Sequence, residues 1–300
     1  MRHRLKVMII SGGGIFGCLP IHFLSMLPTT QQNLERISVL GGCSVGAILA
    51  CGLATGKPFG LIDTVFQERV KDCFTKRCAA KINPLACPTY RSDTIYDVLK
   101  EIIGDMTIEN IKHVYPQLKL VCPALDVTAD KYLIFTNMVH EYDDVKLCDV
   151  AAMSSAAPSY FDCVEFRGNA VVDGGLLDVD SCITTVTAVK KHLGVPFIDL
   201  DVLVMGCGFD KDAEPLTVKA YRKLGLLGIA TDVLRAYATR GNQLANQAFC
   251  EGLGFHSYTV FNPITTFGDL DDYKQVPALV KEADEHREEF LEVWDRWYNS

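Results

Sequence analysis

The stretch Ile37-Ser38-Val39-Leu40-Gly41-Gly42-Cys43-Ser44-Val45-Gly46-Ala47-Ile48-Leu49-Ala50-Cys51 decides how the rest of the chain is read. Its first four residues read as a short buried strand, and its last five as an apolar helical run. Between them Gly42-Cys43-Ser44-Val45-Gly46 satisfies G-x-S-x-G. A strand, a sharp turn with a serine at its tip and then a helix is the context that gives this pattern mechanical meaning. Glycines on either side let backbone pass close to backbone, so the turn can hold Ser44 in a strained conformation. The hydroxyl then projects beyond a sheet edge, toward the N–H groups that open the following helix. Ser44 is therefore the candidate nucleophile.

A second glycine turn lies upstream. Leu5-Lys6-Val7-Met8-Ile9-Ile10 is a β-rich run that enters Ser11-Gly12-Gly13-Gly14-Ile15-Phe16-Gly17, and a helix is expected from Cys18 to Leu27. Gly12, Gly14 and Gly17 also fit the dinucleotide pattern G-x-G-x-x-G, which requires an acidic residue at the end of the next strand. That place is taken by Gly42-Cys43-Ser44, and Glu35 precedes the strand, so the nucleotide reading fails its context. The alternative use of Gly12, Gly13 and Gly14 is an oxyanion hole, their N–H groups converging on an oxygen that becomes negative during acyl transfer. Two such turns on neighbouring strands would meet at the carboxyl edge of an α/β sheet, where such sheets place their sites.

The 300 residues are 49% apolar and 22% charged, with a formal net charge of −8. That acidity argues against a nucleic-acid partner, since no basic field is available to displace counterions from phosphates. Twelve cysteines are scattered rather than paired, with no C-x-x-C spacing, and several lie in apolar runs (Cys51, Cys122, Cys182). They read as reduced, buried thiols in a cytoplasmic, reducing compartment, with neither a structural zinc nor any other metal or cofactor expected. The N-terminal apolar run ends in glycines after one strand, which is not a signal peptide, and no apolar stretch is long enough to span a bilayer.

Further strands are expected at Leu118–Asp126 and Lys131–Phe135, joined as a hairpin through Thr128-Ala129-Asp130, and at Ala170–Val172, Ile198–Met205 and Tyr258–Phe261. Helices are expected from Ser92-Asp93-Thr94, over Cys148–Met153 and Ile183–Leu193, across Leu216–Cys250, and as one closing helix Pro277–Tyr298. With no repeat or linker, residues 1–300 read as one domain.

The order of these motifs resembles the patatin-like phospholipase family. Gly12-Gly13-Gly14-Ile15-Phe16-Gly17 is similar to that family's glycine-rich loop, and Gly42-Cys43-Ser44-Val45-Gly46 to its nucleophile turn. Ser154-Ser155-Ala156-Ala157-Pro158-Ser159-Tyr160-Phe161 resembles its Ser-Ala-Ala-Pro segment, Asp173-Gly174-Gly175 its Asp-Gly-Gly turn, and Gly206-Cys207-Gly208 a later glycine turn. The resemblance implies a three-layer α/β/α fold with a mostly parallel central sheet. It also implies a serine lipid acyl hydrolase of phospholipase A or lysophospholipase type. Its machinery would be a dyad, Ser44 as nucleophile and Asp173 as its base, with the Gly12–Gly14 oxyanion loop. The partner implied is a phospholipid or other acyl-ester lipid, with transient contact at a membrane surface.

Two departures from the family pattern stand out. Phe16 occupies a place where the family usually carries Arg or Lys, so a positive contribution near the oxyanion is missing while the glycine donors remain, and Phe16→Arg is expected to raise activity if the absent cation limits the oxyanion site. Leu176-Leu177-Asp178 follows Asp173-Gly174-Gly175 where the family often has Asn-Pro. Two other functions stay open on the sequence: a weak or inactive member of the family with a binding or structural role, and a Ser-His-Asp esterase using the late His256. His22 lies in the helix after the glycine loop without an assigned role. Leu224-Gly225-Leu226-Leu227-Gly228-Ile229-Ala230 could line an acyl cleft or form a buried helix face, and Phe290, Trp294 and Trp297 could face a membrane or the core.

Overall fold

The computed structural model of the chain describes residues 4–32, 34–77, 87–210, 242–265 and 269–300. Its strands are β1 (Leu5–Ile10), β2 (Val39–Gly42), β3 (Lys119–Asp126), β4 (Lys131–Thr136), β5 (Val164–Phe166), β6 (Asn169–Asp173), β7 (Leu200–Met205), β8 (Phe209–Asp210), β9 (Ser257–Phe261) and β10 (Ile264–Thr265). Its helices are α1 (Cys18–Ser25), α2 (Val45–Ala54), α3 (Phe59–Cys73), α4 (Ser92–Ile102), α5 (Ile111–Val114), α6 (Leu147–Ser154), α7 (Cys182–Leu193), α8 (Asn242–Gly252), α9 (Val276–Glu285) and α10 (Arg287–Tyr298). The main sheet runs β5-β6-β3-β2-β1-β7-β9, with β4 also on β3. From β3 through β2, β1 and β7 to β9 every pairing is parallel, whereas β4, β5 and β6 join antiparallel.

Strands buried on both faces read as continuous apolar runs, and their side chains alternate between two cores. Met8, Ile10, Leu40, Leu203 and Met205 point into a large core that includes residues of α1, α2, α3, α4, α6, α9 and α10. Val7, Ile9, Val39, Val202 and Val204 point the other way, onto Cys182, Val186 and Val189 of α7 and Cys250 of α8. Helices therefore cover both faces, giving the three-layer architecture. Among the described residues no helix is long and apolar enough to cross a membrane, and the cysteines are free thiols.

Strand β3 has two edges and three partners. Val121 is level with Gly41 of β2 and with Thr136 of β4, while Ala124 is level with Asp173 of β6 and with Leu133 of β4. Since β4 fills one edge, β2 and β6 share the other. They run in opposite directions along it, so their carboxyl ends approach each other. Both ends carry a residue singled out above.

The C-terminal segment differs from expectation. Two helices, α9 and α10, meet at His286, whose N–H bonds to the Ala283 carbonyl at 3.1 Å. The break lets each present its own apolar stripe: Val276, Leu279 and Ala283 from α9, and Phe290, Trp294 and Trp297 from α10, all buried. The aromatic stripe of α10 thus faces the core. Lys6 of β1 secures this helix, its Nζ donating to the Trp297 carbonyl at 2.6 Å and to the Ser300 hydroxyl at 2.9 Å. The hairpin turn is as expected, with Asp126 Oδ1 accepting from the N–H groups of Thr128 and Ala129. The run Leu224–Ala230 and residues 216–241 of the expected helical section lie outside the described residues; the end of that section forms α8.

Close approach of β1 to the start of α2 makes Gly46 a test of this packing. A Cβ there would sit 2.0 Å from the Ile10 carbonyl oxygen, whereas one at Gly60 meets nothing within 4 Å. Gly46→Ala is expected to destabilise the protein by about 3 kcal/mol in urea denaturation through overpacking, while Gly60→Ala does not lower the midpoint.

Candidate active site

Ser44 stands between β2 and α2 with φ 56° and ψ −125°, a conformation that costs a non-glycine residue energy. Its neighbours show why the turn can close. A Cβ on Gly42 would lie 2.2 Å from the Gly46 carbonyl oxygen, so the two flanking glycines are in backbone contact. Bonds from Gly46 N–H to the Cys43 carbonyl (2.8 Å) and from Ala47 N–H to the Ser44 carbonyl (2.9 Å) start the helix at once.

Asp173 ends β6 opposite Ala124, where the chain beyond Gly41 delivers Ser44. Its carboxylate is buried, accepts from the Gly175 N–H at 2.7 Å and from the Cys43 thiol at 3.8 Å, and lines the same cavity as Ser44. Burial pushes its pKa up to about 6; the polar groups of Ser44, Gly175 and Cys43 around it oppose that rise without cancelling it. Burial also raises the Cys43 thiol well above its ordinary range, so the thiol stays protonated and donates to the carboxylate. Such a carboxylate is ionised at neutral pH yet more basic than an exposed one.

The first glycine turn divides its labour. Gly12 donates its N–H to the Val179 carbonyl at 2.8 Å and is thereby committed to structure rather than to a ligand. Gly13 and Gly14, by contrast, line the same cavity as Ser44, and their N–H groups have no backbone acceptor among the described residues. The N–H of Val45, first residue of α2 and also a cavity residue, is in the same position. Gly14 needs to be glycine twice over: its φ is +58°, and a Cβ would lie 2.3 Å from the Leu270 carbonyl oxygen. Phe16 corrects an expectation. It is completely buried in the large core and does not line the cavity that holds Ser44. An arginine there would have to bury its charge or disrupt the packing, so Phe16→Arg is a destabilising change rather than an activating one.

The cavity has a volume of about 160 Å³ and is almost wholly apolar apart from Ser44, Ser155 and Asp173. Val45 and Ile48 of α2, Phe66 and Val70 of α3, Ile95 of α4 and Leu270 form much of its wall, and Ala157, Pro158, Tyr160 and Phe161 extend it. The Ser-Ala-Ala-Pro segment is thus a wall of the site, a role that a motif match alone could not assign. Among the described residues no histidine lines the cavity. His22 is held at 2.8 Å from Asp63 by its Nδ1. His256 precedes Ser257, which is level with Asp201 and Lys6, whereas Ser44 follows the level of Ile10. Four residues of strand, about 13 Å, separate these levels, placing His256 at the opposite edge of the sheet. Among the described residues no group of three potential ligands could hold a metal ion.

The chain is similar to known proteins over much of its length. The sequence model of the family described as Patatin-like phospholipase matches residues 8–180, which contain Ser44, Asp173 and the first glycine turn. A cGAMP-activated phospholipase of Escherichia coli is 29% identical over 84% of this chain and 77% of its own. Another from Vibrio cholerae is 24% identical over 91% of this chain and 82% of its own. Patatin-like protein 2 of Arabidopsis thaliana is 23% identical over 87% and 73%. Among solved structures, VipD from Legionella pneumophila covers 97% of this chain and 67% of its own at 12% identity with a TM-score of 0.47.

The raised pKa of Asp173 has a consequence for stability. A folded-state value of about 6 against 3.8 means that the contribution of this group is fully present below pH 3.8 and is lost as the pH rises through 6. At pH 8 the buried charge therefore costs about 3 kcal/mol. Asp173→Asn, neutral throughout, is expected to raise the urea midpoint at pH 8 and to show no gain at pH 4.

Proposed function

Because the chain belongs to the patatin-like phospholipase family, we propose that it hydrolyses acyl esters of lipids, with Ser44 as nucleophile and Asp173 as general base. The observation that carries the reading is the shared edge of β3, along which two strand ends present Ser44 and Asp173 to one apolar cavity. An acyl chain fits the apolar walls, and its ester carbonyl would then lie at Ser44. As Ser44 Oγ bonds to the carbonyl carbon, its proton passes to Asp173. The carbonyl oxygen becomes an oxyanion that receives hydrogen bonds from the N–H groups of Gly13, Gly14 and Val45. Collapse breaks the ester C–O bond, and Asp173 returns the proton to the departing alcohol of the lipid. Water then attacks the acyl-serine, giving its proton to Asp173, and the fatty acid leaves as Ser44 is reprotonated.

Two features support a dyad over a triad: the convergence of Ser44 and Asp173 on one cavity, and the location of His256 at the other sheet edge. The pairing of β7 with β1, and of β9 with β7, supports reading the part beyond residue 180 as the same domain. The relatives named cGAMP-activated phospholipases motivate a second arm of the assay, in which cGAMP is supplied as an activator.

Purified protein should be assayed on phospholipids, lysophospholipids and neutral lipids, with and without cGAMP. Wild type is expected to release fatty acid and to be labelled at Ser44 by a fluorophosphonate; Ser44→Ala does neither. Asp173→Asn is expected to lose on the order of 10²–10⁴ in kcat, and His256→Ala to change it less than threefold. Since Asp173 works as the carboxylate, kcat/KM should fall about tenfold per unit as the pH drops below 6. Undiminished turnover in Ser44→Ala would refute the mechanism. Absence of both labelling and hydrolysis in wild type, in every arm, would favour a binding or structural role.

A further inference from the structure

We propose that Ser154 is a positioning residue of this site, whose hydroxyl fixes the backbone of the nucleophile to the strand that aligns Asp173. The inference rests on Ser44 being the nucleophile. Ser154 ends α6 and is completely buried. Its Oγ donates to the Pro123 carbonyl at 2.6 Å and accepts the N–H of Ser44 at 3.2 Å. One proton and one acceptor site are thereby used, so the hydroxyl acts as a bridge rather than as an acid or a base.

Both ends of the bridge matter. At one end is Ser44, held at a positive φ that its own preferences oppose. A partly buried N–H at such a residue is best satisfied by an acceptor, and without one the turn relaxes to find another. At the other end, Pro123 adjoins Ala124, the residue level with Asp173, and its carbonyl lies against Gly174, where a Cβ would be only 2.6 Å away. The hydroxyl of Ser154 therefore ties together the two chain segments whose spacing sets the distance between Oγ of Ser44 and the carboxylate. The adjacent serine does not duplicate it, because the Ser155 hydroxyl donates to Ala151 within its own helix at 2.7 Å. Ser154 is not a wall of the cavity. Its loss should consequently leave substrate binding intact while misplacing the attacking oxygen, and a misplacement near 1 Å is worth about 10²-fold in rate.

The experiment measures kcat, KM and the second-order rate of fluorophosphonate labelling in Ser154→Ala, Ser154→Thr and Ser154→Val, with near-ultraviolet circular dichroism as a check on packing. Threonine and valine have nearly the same shape and differ in the hydroxyl, so this pair remains informative if the alanine variant fails to fold. Expected are an about 10²-fold fall in kcat and in labelling rate for Ser154→Ala and Ser154→Val, KM within twofold of wild type, and recovery of most activity in Ser154→Thr. A valine variant as active as the threonine variant overturns the proposal, as does a loss expressed in KM rather than kcat. The Ser44→Ala control separates the two levels of inference. If Ser44→Ala still turns over, the nucleophile assignment has failed. If it is inert while all Ser154 variants match wild type, only the positioning role has.

Discussion

A strand has two edges, and β3 must serve three neighbours with them. Filling one edge with β4 forces β2 and β6 to divide the other, end to end and in opposite senses. Hydrogen-bond register then fixes how close the two strand ends come, because each residue pair along β3 is set by backbone geometry rather than by side-chain preference. The gap left between the levels of Val121 and Ala124 is where Ser44 and Asp173 meet. Precision in this site therefore derives from the sheet, which is rigid, and the glycine turns only exploit it.

The same placement explains the electrostatics. Asp173 lies where two covered strand ends converge, so it is cut off from water and its ionised form is disfavoured. Donors from Gly175 and Cys43 recover part of that loss. A fully solvated aspartate would be too weak a base to assist a serine hydroxyl. Raising its proton affinity by burial brings it nearer to what general-base catalysis at neutral pH requires, at a cost borne by the fold as a whole.

Substrate access and oxyanion stabilisation are arranged around this pair by segments remote in sequence. Leu270 touches the first glycine turn, its carbonyl accepting the Ile15 N–H at 2.9 Å, and also forms part of the cavity wall. Cys207 packs against Gly13 closely enough that a Cβ on Gly13 would lie 2.6 Å from it, so the later glycine turn braces the earlier one. Phe16, in turn, holds the loop by packing rather than by charge. The loop thus stabilises an oxyanion, in the proposed mechanism, through backbone dipoles alone.

Much was determined by the sequence itself. Glycine is the one residue that permits such close backbone approaches, and apolar runs of strand length bounded by glycine turns specify buried parallel strands. Ser44, the two glycine turns, the β3–β4 hairpin and most helices could be read that way, and the order of motifs pointed to Asp173. What local pattern could not supply was anything that depends on register across the sheet. That Gly12 bonds to Val179, that His256 stands at the wrong edge, that the aromatic stripe of α10 faces inward and that Ser154 reaches Ser44 are all facts of long-range pairing. Each involves residues separated by tens to hundreds of positions, and only the closed tertiary structure brings them within the few ångströms over which hydrogen bonds and packing act.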